Sequence, residues 1–93
     1  MAPLIVVSYD IPDDRRRGRL AQVLKDFGVR VQYSVFECHL EPDGLEKLRH
    51  RLEKMVSPEK DSIRLYRFCQ DCGAKLEIYG QGGPTEEQEV YIL

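Results

Sequence analysis

The chain has 93 residues, a formal net charge of −2, 42% hydrophobic and 32% charged residues, which suits one domain around one modest core. No apolar run approaches membrane-spanning length and no basic, then apolar, leader opens the chain, so a cytoplasmic protein without membrane contact is expected. Three cysteines are too few for a disulfide scaffold and agree with a reducing compartment. The charge balance does not point to nucleic acid, so a nucleic-acid binder of this composition relies on a local basic patch.

Leu4 to Asp10 reads as a strand whose apolar run lacks alternation, which predicts protein on both of its faces. Pro12 breaks the chain, and Asp13 or Asp14 caps a helix in which Leu20, Val23, Leu24 and Phe27 share a face. Gly28 stops that helix. Val29, Val31 and Tyr33 alternate with Arg30 and Gln32, as in a half-buried strand. A tight or bulged turn near residues 32–34 leads into Ser34 to Leu40, with Phe36, Cys38 and Leu40 on one face. Glu41-Pro42-Asp43-Gly44 opens a second helix, striped by Leu45, Leu48, Leu52, Met55 and Val56 and ended by Ser57-Pro58. Ile63 to Phe68 and Ala74 to Tyr79 are two further strands, joined by a corner at Cys69 to Gly73. Gly80 to Pro84 reads as a flexible joint, and a short strand-like segment, VYIL, ends the chain.

The order β-α-β-β-α-β with added C-terminal strand predicts an α+β, ferredoxin-like domain over residues 1–79. Residues 80–93 form the joint and a strand for dimer or partner pairing. Two helices cover one face of such a sheet. The first strand is apolar on both, so a homodimer is expected to cover the other. The tail can then add to a partner's sheet edge.

Asp10 stands at the carboxyl end of the first strand, next to Arg15, Arg16, Arg17 and Arg19. A carboxylate at a strand end can bind a hard cation, and guanidinium groups suit phosphate. Positive charge at a helix N-terminus opposes the macrodipole, so stability alone does not explain it there. These features point to phosphodiester chemistry. One acid per chain is too few for a metal site, but a two-fold axis near the end of the first strand supplies two Asp10 carboxylates, enough for Mg²⁺ or Mn²⁺ with its waters.

Tyr9-Asp10-Ile11, then Asp14-Arg15-Arg16 with Leu20 and Leu24, then Gly28 to Glu37 (GVRVQYSVFE) resemble the small CRISPR-associated adaptation proteins, the second numbered member of that set. The resemblance implies a ferredoxin-like homodimer with an extra C-terminal strand and a Mg²⁺ between the aspartates that end the first strands. It implies a metal-dependent endonuclease, or endoribonuclease, that cuts single-stranded RNA or double-stranded DNA in spacer acquisition and antiviral defence. It also implies a central dimer that joins CRISPR integrase subunits. Asp10 matches the metal-binding aspartate of the family, and Asp14, Arg16, Arg30, Ser34 and Phe36 match by position.

Asp10 is thus the expected catalytic and metal-binding residue, one from each protomer. Arg15, Arg16, Arg17, Arg19 and Arg30 are the expected nucleic-acid contacts, with Arg64 a further candidate. Tyr9, Ser34 and Phe36 are the expected supporting residues. Tyr9 and Phe36 suit core or interface packing more than base stacking, and Ser34 suits a turn or a place near the metal. His39 and His50 are structural. Cys69-Gln70-Asp71-Cys72 is half a zinc site at most and reads as a hairpin corner. The competing readings are a non-catalytic dimeric scaffold bridging integrase subunits and DNA and, from another class, a ferredoxin-like ligand sensor or toxin-type ribonuclease.

Overall fold

A computed structural model of the chain describes residues 2–69 and 73–81. Seven elements follow one another: β1 (Leu4–Asp10), α1 (Asp14–Lys25), β2 (Val29–Gln32), β3 (Val35–His39), α2 (Pro42–Met55), β4 (Ser62–Cys69) and β5 (Gly73–Gly80). The five strands form one sheet in the order β2-β3-β1-β4-β5, and every neighbouring pair is antiparallel. This is the expected α+β, ferredoxin-like plan, with β5 as the added strand on the flank of β4. None of the described helices is long and apolar enough to cross a membrane.

Burial along β1 alternates. Ile5, Val7 and Tyr9 are buried, whereas Leu4, Val6 and Ser8 are half-exposed and Asp10 is exposed. The buried set packs with Leu20 and Leu24 of α1, Leu45, Leu48 and Leu52 of α2, Phe36 and Cys38 of β3, and Ile63 and Leu65 of β4. Burying each such side chain contributes about 1.5–3 kcal/mol. Both helices therefore lie on one face of the sheet. The opposite face carries Leu4 and Val6, with Val35 beside them on β3, Tyr66 and Phe68 on β4, and Leu76 and Ile78 on β5. All of these are half-buried.

Local sequence explains the element ends. Asp13 is the N-cap of α1, its Oδ2 accepting from the Arg16 amide at 2.8 Å. Gly28 does not end α1 through a left-handed cap; Gly80 is the one glycine with positive φ among the described residues, at 97°. A Cβ at residue 28 would lie 2.3 Å from the Glu37 carbonyl oxygen and 2.5 Å from the Cys38 Sγ, so the glycine lets the chain pass close under β3. Gly80, expected to begin the joint, is instead the last residue of β5. Residues 82–84 of the joint, the VYIL tail and Cys72 lie outside the described residues.

The largest departure from expectation is β2. All four of its residues are exposed, and Val29 (68%) and Tyr33 (73%) are among the most open large apolar groups described. The strand forms the sheet edge and is bulged between Arg30 and Gln32, so its alternation does not mark a buried face.

Candidate functional site

Asp10 is the last residue of β1, and alternation places it on the same sheet face as Leu4, Val6 and Ser8, away from the helices. On the β3 side the ladder ends at Ser8↔Val35. On the β4 side it continues to Asp10↔Ser62. The Tyr9 amide donates to the Ser34 carbonyl oxygen at 3.1 Å, which anchors the preceding residue to the β2–β3 turn. Asp10 itself is held through the first residue of β4.

Four of the five expected phosphate-binding arginines stand on α1 but divide into two pairs. Arg15 and Arg19 are exposed and carry no ion pair among the described residues. Arg16 and Arg17 are engaged within the chain. The Arg16 guanidinium pairs with Asp61, which is completely buried, and also lies 3.8 Å from Asp13. Arg17 pairs with Asp14 and donates from Nη1 to the Ile11 carbonyl oxygen at 2.8 Å. Stability therefore does explain half of the basic run, because these two side chains reach acceptors that offset the unfavourable helix end. The fifth arginine, Arg30, sits on exposed β2 with its guanidinium 5.3 Å from the centre of the Phe36 ring.

Tyr9 and Phe36 are core residues, 4% and 0% exposed, with ring centres 6.4 Å apart. Their burial leaves no ring face for a base and removes the stacking alternative. Ser34 is half-buried in the turn next to them. Burial pushes the Cys38 thiol up to about 11, so Cys38 is a core residue with little thiolate at neutral pH.

Asp61 was not legible as important from its surroundings, because Ser57-Pro58-Glu59-Lys60-Asp61 reads as an ordinary polar loop. It is the one buried charged residue among those described. Its Oδ2 accepts from Arg16 and from the Ser57 amide at 2.8 Å, while Oδ1 has no hydrogen-bond partner among the described residues. Its backbone amide donates to the Ser57 carbonyl at 2.8 Å, and its carbonyl accepts from the Gln81 amide at 2.6 Å. No local pattern announces this role; the partner Arg16 is 45 residues away in sequence.

Among the described residues of one chain, no group of three or more His, Cys, Asp or Glu side chains is arranged to hold a metal ion. One exposed carboxylate, Asp10, is a partial donor set. That fits Mg²⁺, which keeps several waters and takes one or two carboxylates, provided a second Asp10 is near.

Comparison with known proteins places this geometry. The family model described as CRISPR associated protein Cas2 matches residues 1–76. A Chloroflexus aurantiacus protein named a CRISPR-associated endoribonuclease is 44% identical over 93 residues, covering all of both chains. A Thermus thermophilus protein named a CRISPR-associated endonuclease is 43% identical over 90 residues, 97% of this chain and 96% of the other. Among solved structures, a hypothetical protein from Thermus thermophilus superposes with a TM-score of 0.70 at 41% identity, covering 83% of this chain and 100% of that one. Cas2 of Streptococcus pyogenes superposes with a TM-score of 0.66 at 33% identity, covering 73% and 88%. With matching sequence over most of its length and a matching fold, the chain belongs to the CRISPR-associated Cas2 family.

Proposed function

We propose that the protein is a homodimeric, divalent-metal-dependent endonuclease of CRISPR spacer acquisition and antiviral defence, acting on the phosphodiester backbone of single-stranded RNA, double-stranded DNA or both. The observation that carries this reading is the place of Asp10, at the end of β1 on the half-buried apolar face opposite the helices. A second copy seated on that face covers Leu4, Val6, Tyr66, Phe68, Leu76 and Ile78 and brings the two Asp10 carboxylates together. The names of the endoribonuclease and endonuclease relatives support the same chemistry.

In this reading the Asp10 pair holds Mg²⁺ or Mn²⁺. When bound, such an ion neutralises charge on the scissile phosphate and lowers the pKa of a coordinated water. Arg15 and Arg19 on α1 and Arg30 on β2 present guanidinium groups to the backbone phosphates on either side, where bidentate contacts fix its register. Tyr9 and Phe36 keep the end of β1 and the β2–β3 turn rigid.

Substituting Asp10→Asn tests the reading. Mg²⁺-dependent cleavage of single-stranded RNA and of duplex DNA is expected to fall by about 100-fold or more, as when a metal ligand is lost. RNA binding is expected to stay within about threefold, since the arginines carry the phosphate contacts. Cleavage unchanged by the substitution overturns the catalytic assignment. The scaffold reading, in which the dimer bridges integrase subunits and DNA without cutting, is favoured by the absence of any larger acid or histidine cluster among the described residues. Spacer acquisition that survives Asp10→Asn while cleavage is lost selects it.

A further inference from the structure

Arg16 lies in the basic run that suggests phosphate binding, but its surroundings suit a different task. Its guanidinium is turned toward Asp61, on the helix side of the sheet, whereas Asp10 faces the other side. Asp61 immediately precedes β4, and the next residue, Ser62, is the register partner of both Asp10 and Gly80. The last backbone bond of β1 toward β3 is that of the Tyr9 amide to the Ser34 carbonyl oxygen, and at Asp10 itself the ladder has its described partner, Ser62, on the β4 side. The start of β4 therefore decides where the Asp10 backbone sits.

The start of β4 is fixed in turn by Asp61. This residue ties α1 through Arg16, the α2–β4 turn through Ser57, and the exit of β5 through Gln81. A Cβ at Gly80 would lie 2.0 Å from the Asp61 carbonyl oxygen, so this corner is closely fitted as well. A buried carboxylate is tolerated only with a compensating charge or a full set of donors. Among the described residues Asp61 has one cation, Arg16, and its Oδ1 already lacks a partner. Removing the guanidinium leaves a buried charge without its cation, which destabilises the corner and favours its opening to water.

We infer that Arg16 is a positioning residue for the Asp10 centre: through Asp61 it fixes the first residue of β4, and through Ser62 it fixes Asp10, without contacting phosphate. The functional meaning rests on the reading of Asp10 as the metal-holding residue.

The test uses the full chain, its Arg16→Gln variant, and the double variant Arg16→Gln with Asp61→Asn. Three quantities are measured: amide hydrogen exchange at residues 8–11 and 62–64, Mn²⁺ affinity by titration calorimetry, and the salt dependence of single-stranded RNA binding. In Arg16→Gln, exchange at these amides is expected to accelerate by about tenfold or more. Mn²⁺ affinity is expected to fall by roughly tenfold, the usual cost of losing an outer support of a metal site. In the double variant, with no buried charge left to compensate, both are expected to return to within about threefold of wild type.

The salt slope is expected to be unchanged in both variants, because a phosphate-contacting arginine contributes about 0.7 to that slope on single strands. A slope reduced by that amount in the double variant overturns the inference, as does wild-type exchange in Arg16→Gln. Should Arg16→Gln fail to fold, the double variant still decides the slope. A wild-type chain that binds no Mn²⁺ while exchange and slope behave as expected rejects the metal reading and leaves the positioning role standing.

Discussion

At residue 28 the backbone passes so close to β3 that even a methyl group has no room. Gly28→Ala is expected to destabilise the fold by about 1–3 kcal/mol, as overpacking of a tight contact does, read as a lower urea midpoint with an unchanged slope. A surface alanine substitution at Gly18, whose Cβ would meet nothing within 4 Å, is the control. The sequence shows that a glycine stands there and that a helix ends nearby, which suggests a left-handed cap. The actual reason is a neighbour on another strand, and local pattern carries no information about it. The same holds for the arginine run. Four guanidinium groups in five positions read as one patch, yet the buried partner that withdraws Arg16 lies 45 residues further along the chain, and Asp14 and Ile11 occupy Arg17. The place of Asp10 at the end of β1 was legible because its signal is local: an apolar strand ending in a single acid.

Among the elements, those with long periodic stretches were readable. The leucine stripe of α2 and the capping aspartate of α1 fold as their spacing predicts, and the β1 run is a strand as expected, although its burial within the chain alternates and one face is left half-exposed. The short β2 does not, because alternation over four residues reports a face only when something lies against it, and β2 has one neighbour and a bulge. Also illegible was the clamp between α2 and β5. Arg49 donates from Nε to Glu77 Oε1 at 3.0 Å, pairs through Nη2 with Oε2, and bonds Glu46 as well. The Arg49 guanidinium holds the Glu77 carboxyl below its usual value. A carboxyl with a lowered folded-state pKa contributes stability that is present above its unfolded pKa and lost as the pH falls through the folded one. Glu77→Gln is therefore expected to be less stable than wild type at pH 7, by at most about 1 kcal/mol given partial solvent screening. The gap should close toward pH 3, well below the usual glutamate range; thermal midpoints of both proteins at the two pH values check this. A gap that persists at low pH assigns the effect to packing instead of charge.

For the whole molecule, the sheet carries its helices on one side and a half-buried apolar surface on the other, edged by Asp10. If that surface joins two copies, a charge at its centre separates them. Val6→Asp is expected to shift the species in light scattering from twice the 10.8 kDa chain mass to the single mass, and to abolish metal-dependent cleavage although residue 10 is intact, because like charges at a two-fold contact repel. A wild-type chain that is already monomeric removes the shared-cation account. The opposite flank of the sheet has its own consequence. Among the described residues β2 leaves one border of the ladder unpaired, with Val29 and Tyr33 open to solvent, a combination that favours edge-to-edge association. The irregularity at Val31 breaks the even spacing of backbone donors and acceptors along that border, so an incoming strand finds no continuous template. One extra residue in the edge thus works against growth of a sticky rim into fibres.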